Sequence, residues 1–286
     1  MTPPSSKQPV VVITGGGTGI GLALAREWVS RQAMAIVIVS RTQATLNTAV
    51  AELETLAKSK SSPSVIKAIP ADATVWAEID SALEQTVTEF GSIEYIFANA
   101  GPVDNPQFDL NVVAEPSPDI HRVFDAHFWS TVNTVHAGAP RLAKSPAEDK
   151  AIIVTSSITS ETICSLTPIY GLAKAALNGL VYNYGDHMPA GVRITGFAPG
   201  YTLTPYISMF AAACEAVKTV DDTAAEMMTH VDDRSKHAIV TFQRVDGALE
   251  DKLPVYPDRK DFRRAALPEM LTLIGQAMAA QRTARH

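Results

Sequence analysis

Short apolar runs alternate along this chain with longer stretches in which apolar residues recur every three or four positions. The first run, "VVVIT" (10–14), is rich in β-branched residues and has the length of a buried strand. "GIGLALAREWVSRQ" (19–32) follows with helical spacing, and "AIVIVS" (35–40) is a second buried strand. The pattern then predicts a helix over 42–60, a strand over 64–70, a helix over 74–91 that Gly91 can terminate, and a strand over 93–99. Four prolines make 101–119 mostly loop. A helix from about Asp119 to Leu142, a strand over 150–157, a helix over 168–188 with Pro168 near its start, and a strand over 192–199 complete the regular part. After Pro205 the pattern loosens. The stretches 206–220 and 221–231 read as helical, 253–257 as a short seventh strand and 261–281 as a terminal helix.

Strand and helix alternate without a break from residue 10 to 199. That order predicts an α/β fold, a doubly wound parallel sheet of six to seven strands with helices on both faces. No repeat or linker divides the chain. The expected organisation is a disordered tail over 1–8 and one domain over 9–286, with 205–250 as a substrate lid and 251–286 as a C-terminal strand and helix.

Composition narrows the function classes. The 286 residues are 46% hydrophobic, enough for a large core, and the net charge is −6. No basic surface is expected for nucleic acid or an acidic membrane. Two cysteines, Cys164 and Cys214, lack pairing or metal spacing, so no metal is expected and the thiols suit a reducing, cytoplasmic setting. The segment "MTPPSSKQP" has no apolar run of the signal-peptide kind, and no apolar run reaches the length of a membrane span.

The stretch after the first strand is where chemistry enters. In "TGGGTGIG", Gly15, Gly19 and Gly21 stand in a G-x-x-x-G-x-G pattern between a strand and a helix start. Glycine makes the turn tight, and the helix N-terminus offers free N–H groups to a pyrophosphate. A second pattern, Y-x-x-x-K, occurs twice, at Tyr170/Lys174 and Tyr256/Lys260. Spacing of i and i+4 puts both groups on one helix face, where an ammonium stabilises a phenolate and lowers the tyrosine pKa.

With these motifs in order, residues 8–205 resemble the short-chain dehydrogenase/reductase family, whose first turn has the form T-G-x-x-x-G-I-G. The resemblance implies a single-domain Rossmann-type fold. It implies nucleotide contacts at Gly15, Gly17, Thr18, Gly19, Ile20 and Gly21, and at Asp72 near the adenine. "NAG" (Asn99, Ala100, Gly101) ends the fourth strand as in the family, and "APGYTLT" would place Pro199, Gly200, Thr202 and Thr204 near the nicotinamide carboxamide. The family's serine lies 13 residues before its tyrosine, which gives Ser157 for Tyr170 but Gln243 for Tyr256. Ser157, Tyr170 and Lys174 are therefore the expected reacting groups, and Tyr256 is expected to be structural. Tyr170 would protonate a carbonyl oxygen as hydride reaches carbon, Ser157 would hold that oxygen, and Lys174 would bind the nicotinamide ribose.

Two positions refine the resemblance. NAD-preferring relatives carry an acid where this chain has Ser40, and Arg41 follows with a guanidinium suited to a 2′-phosphate, so NADP(H) is the expected cofactor. The family's helix asparagine, 13 residues ahead of a proline, is His127 here, with Pro140 following. In the family that residue supports a proton path largely through its backbone carbonyl, which His127 keeps, so His127 joins the expected catalytic residues either through its main chain or through an imidazole that alters the relay. The expected activity is NADPH-dependent reduction of a ketone or aldehyde. A partly apolar substrate is expected from Tyr206, Met209 and Phe210, and a homodimer or homotetramer from the resemblance. Epimerisation, dehydration or cyclisation at the same site, or nucleotide sensing without turnover, are the alternatives.

Overall fold

The computed structural model describes residues 8–101, 118–162, 167–204, 217–244 and 246–253, all within one compact unit that ends at Leu253. The strands are β1 (Val10–Thr14), β2 (Ala35–Ser40), β3 (Val65–Pro70), β4 (Tyr95–Ala98), β5 (Lys150–Thr155), β6 (Val192–Ala198), β7 (Val240–Gln243) and β8 (Leu249–Lys252). They form one sheet in the order β3-β2-β1-β4-β5-β6-β7-β8. Pairing is parallel throughout except for β7 with β8. The helices are α1 (Gly19–Ser30), α2 (Gln43–Ser59), α3 (Trp76–Phe90), α4 (Pro118–Phe124), α5 (Ser130–Lys144), α6 (Pro168–Gly185), α7 (Val220–Met227) and α8 (Thr229–Asp232).

Both faces of the sheet are covered, which is why the strands read as continuous apolar runs rather than alternating ones. Val11 and Ile13 point to one face with Ile36, Ile38, Phe97 and Phe197, under α1, α2 and α7. Val12 points to the other with Val37, Ile96, Ile152 and Ile194, under α3, α5 and α6. Strand order reverses between β1 and β4, and the crevice at the C-terminal strand ends there is where ligands enter open α/β sheets.

Three expectations need correction. The sheet has eight strands rather than six or seven. β7 is only four residues long, and β8 ("LEDK") is an exposed antiparallel edge strand whose charged side chains need no apolar face. The single helix expected over 119–142 is α4 and α5 joined through a π turn, Asp125–Trp129, where the Ser130 N–H reaches the Asp125 carbonyl. Residues 217–219, expected to be helical, are extended: Lys218 bridges Thr202, and Thr219 caps α7 in a capping box with Asp222. The strand expected over 253–257, the helix over 261–281, the tail and most of the 101–119 loop lie outside the described residues. Gly91 does end α3, in the left-handed conformation. Among the described residues no helix is long and apolar enough to cross a membrane.

One buried group makes stability depend on pH. His230 in α8 is fully buried against Phe197, with Nδ1 2.6 Å from the Thr195 hydroxyl. Burial first, and then the Lys236 charge, push its pKa down to about 3, against weaker support for the cation from Asp251 and Asp233. The unfolded chain takes up that proton near pH 6.5. Between these values the unfolded state binds more protons, so the stabilisation is complete above about pH 6.5 and is lost as pH falls, at up to about 1.4 kcal/mol per pH unit. Thermal unfolding at pH 7 and pH 5 should show a smaller drop in Tm for His230→Gln than for the wild type; equal drops would contradict this account.

Candidate active site

The glycine turn packs directly on the end of β4. Gly15 has φ +68°, and its N–H bonds to the Val39 carbonyl at 2.8 Å. Gly21, in the first turn of α1, lies against that loop: an added Cβ would come within 2.3 Å of the Gly15 oxygen and 2.8 Å of Asn99 Nδ2. Thr18 precedes α1 without a side-chain cap, and no acid stands in the first turn, so the helix presents its free N–H groups to the crevice mouth. Thr18 is exposed and Ile20 half-buried. A cavity of about 460 Å³ opens beside this turn, lined by Gly17, Thr18, Leu22, Thr45 and Leu203 among others.

Asn99 ties three strand ends together. Its Nδ2 donates to the Thr14 carbonyl, its N–H and that of Ala100 donate to the Thr14 hydroxyl, and its Oδ1 accepts from the Thr155 hydroxyl. The ends of β1, β4 and β5 are thereby fixed relative to one another. Gly101 follows, against His127: a Cβ there would lie 2.2 Å from the imidazole Nδ1.

β5 stops at Thr155, two residues short of the expected end, and Ser157 instead opens a short 3-10 turn over Ile158–Ser160. Its hydroxyl accepts from the Thr159 N–H and hydroxyl at 3.3 and 3.0 Å. The backbone beside it is anchored to β6, through Ser156 N–H to Phe197 and Ile158 N–H to Pro199. α6 carries Tyr170 and Lys174, and Lys174 reaches the end of β5. Lys174 is 4% exposed, and its ammonium donates to the Thr155 carbonyl at 2.8 Å and lies 5.5 Å from the Tyr170 ring centre. Burial pushes the Lys174 pKa down to about 7, so its charge changes near neutral pH.

His127 stands in the π turn, 1% exposed, with its ring edge-to-face on Tyr170 at 4.9 Å. Its carbonyl accepts from the Thr131 hydroxyl at 2.9 Å. The side chain, and not only the main chain, therefore borders the tyrosine.

The remaining expected positions lie at or just past the ends of β2, β3 and β6. Pro199, Gly200, Thr202 and Thr204 leave β6, and Thr204 returns to within 3.6 Å of where a Gly19 Cβ would be. Ser40 ends β2 beside Gly17, and Arg41 next to it is exposed, with no ion pair among the described residues. Asp72 starts the turn into α3, where its Oδ1 accepts from both the N–H and the hydroxyl of Thr74. Tyr256 and Lys260, and Cys164, Tyr206, Met209, Phe210 and Cys214, lie outside the described residues.

Sequence reasoning did not find the second layer. Ser156 donates to Asn178 Oδ1 at 2.5 Å, Asn178 donates to Ser160, and Ser160 donates to the Ser157 carbonyl, so α6 grips the Ser157 turn. Gln243 of β7 accepts from the Gly200 N–H at 2.7 Å. Glu161 pairs with Lys252 of β8. No spacing rule links Ser156 to Asn178, Gly200 to Gln243 or Glu161 to Lys252.

Comparison with known proteins gives the family and the fold. A family model described as short chain dehydrogenase matches residues 9–214. An uncharacterized oxidoreductase of Staphylococcus epidermidis is 29% identical over 201 residues, covering 70% of this chain and 80% of its own. A short chain dehydrogenase/reductase of Claviceps purpurea is 32% identical over 200 residues, 68% of this chain and 63% of its own. Among solved structures, an NADPH-dependent 3-quinuclidinone reductase from Rhodotorula rubra superposes with a TM-score of 0.70 at 19% identity, covering 83% and 90% of the two chains. An NAD+-bound xylitol dehydrogenase superposes with 0.72 at 16% identity, covering 83% and 98%. At such identities the two structures speak for the fold alone.

Proposed function

This chain belongs to the short-chain dehydrogenase family, and from that premise we propose that it is an NADPH-dependent reductase converting a ketone or aldehyde to an alcohol, with the reverse oxidation open to the same groups. The reading is supported by Tyr170 and Lys174 together on α6, with Lys174 bonded to the end of β5 just before the Ser157 turn, and by the uncapped start of α1. The donor set suits a dinucleotide: free α1 N–H groups and glycine backbone for the diphosphate, and a buried ammonium for ribose hydroxyls. Gly15, Gly17, Thr18, Gly19, Ile20 and Gly21 would hold the diphosphate, Asp72 and Asn99–Gly101 the adenosine side, and Pro199, Gly200, Thr202 and Thr204 the nicotinamide. The bound nucleotide supplies the hydride.

The chain's own groups handle the proton. Tyr170 donates its hydroxyl proton to the substrate oxygen, and Ser157 donates a hydrogen bond to the same oxygen. Charged Lys174 stabilises the resulting phenolate, which an isolated tyrosine of pKa about 10 would resist forming. His127 supports the Tyr170 ring from one side. Exposed Tyr201 and Leu203 at the mouth favour a substrate with an apolar part. Exposed Leu172 on α6 and exposed Trp129 in the π turn support a homodimer. The test is NADPH oxidation by the purified protein across a panel of ketones and aldehydes; no consumption with any of them would sink the reading.

Arg41 carries the cofactor preference. An exposed guanidinium beside a neutral Ser40 favours a 2′-phosphate over a bare hydroxyl. Arg41→Ala should weaken NADPH binding by about ten- to a hundredfold, the worth of a charged hydrogen bond, and leave NADH nearly unchanged. Equal losses in a binding titration, or a wild-type preference for NADH, would refute the assignment.

A further inference from the structure

We infer that Gln243, Glu226 and Lys218 form a positioning relay that sets the Pro199–Gly200 turn to receive the nicotinamide, a proposal that rests on the nucleotide reading above. Gln243 ends β7 with its side chain 1% exposed. Its amide is used at both ends: Oε1 accepts the Gly200 N–H at 2.7 Å, and Nε2 donates to Glu226. Only a group that accepts and donates side by side satisfies both neighbours at once. Glu226 in turn takes the Lys218 ammonium on its other oxygen. A buried amide fixed at both ends leaves the Gly200 N–H one position to occupy.

The relay also reaches the turn from its other side. The Lys218 N–H donates to the Tyr201 carbonyl at 2.9 Å, and its own carbonyl accepts from the Leu203 N–H at 2.8 Å. Thr202 meets Thr223, hydroxyl to hydroxyl, at 3.0 Å. Thr223 and Glu226 are three apart on α7 and so share one face, and the Thr219–Asp222 capping box fixes where that helix begins. Residues 199–203 are thus held by β7, by the 217–219 segment and by α7 together. None of these groups belongs to the proton-handling set, so their effect is on where the nicotinamide end sits.

The test separates that end from the rest of the nucleotide. Calorimetry on the full chain compares NADPH with 2′-phospho-ADP-ribose, which lacks the nicotinamide; NADH and ADP-ribose are run in parallel, so the result does not hang on Arg41. Gln243→Glu removes the donor and sets two carboxylates face to face. It should weaken NADPH by about tenfold or more and 2′-phospho-ADP-ribose by no more than about threefold. Combining it with Glu226→Gln exchanges the two groups. The carboxylate at 243 then accepts from Gly200 and from the amide at 226, whose oxygen faces Lys218, and NADPH affinity should return to within about threefold of wild type. Equal losses for both nucleotides, no loss, or an exchange without recovery would overturn the relay. If the single variant does not fold, the exchanged pair still decides. Wild-type protein that binds none of the four nucleotides would overturn the underlying reading and the relay with it, whereas normal wild-type binding with equal losses overturns the relay alone.

Discussion

A Tyr170→Phe protein should bind NADPH within a few-fold of wild type and lose about 10²–10⁴-fold in turnover, the usual contribution of a positioned general acid. That loss is roughly 3–5 kcal/mol of barrier. The change removes one oxygen and keeps the ring, so the contact with His127 at 4.9 Å and the proximity of Lys174 at 5.5 Å survive. Folding and nucleotide binding should therefore be spared while proton delivery fails. Thermal unfolding, a binding titration and single-turnover NADPH oxidation together check the claim. Turnover near the wild-type rate would mean that another group supplies the proton.

The second large effect belongs to Gly21. A methyl group there must displace the Gly15 carbonyl, 2.3 Å away, or the Asn99 amide, 2.8 Å away. Neither is the free end of a flexible side chain, since Asn99 is bonded to Thr14 and Thr155. Overpacking of this kind costs about 1–3 kcal/mol, and the displaced turn is the one proposed to hold the diphosphate. Gly21→Ala should lower Tm and reduce affinity for NADPH and for 2′-phospho-ADP-ribose alike, by about tenfold or more. Unchanged binding of both would show that the nucleotide does not lie on this turn.

The sequence carries the inner strands and the reacting positions through local patterns. β1, β2 and β4 to β6 are buried on both faces and so read as apolar runs, the edge strand β3 shows through its apolar β-branched residues, and Tyr170 and Lys174 show as an i, i+4 pair. β7 and β8 fail that reading for different reasons. "VTFQ" is buried but lies where the alternation of strand and helix has loosened, and "LEDK" pairs through its backbone while Glu250, Asp251 and Lys252 make ion pairs instead of filling an apolar face. The π turn holding His127 is equally invisible, because one extra residue in a helix leaves the apolar spacing almost intact. Gln243 and Gly200 are bonded across 43 positions, a partnership that only the fold creates. Ser157 was reachable because the family's spacing to Tyr170 locates it, even though the strand ends two residues earlier than the apolar run suggests.

The central claim is that hydride passes from the nucleotide to a carbonyl carbon while Tyr170 delivers the proton. The most direct measurement follows the label. NADPH carrying deuterium at the transferable position of the nicotinamide is incubated with the full chain and each ketone or aldehyde that supports its oxidation, and the product is read by mass spectrometry and NMR. The account predicts an alcohol with deuterium on the carbinol carbon, one per NADPH consumed, and its near-disappearance in Tyr170→Phe. NADPH that stays bound and unconsumed across the panel, or product that forms without deuterium at that carbon, would contradict it.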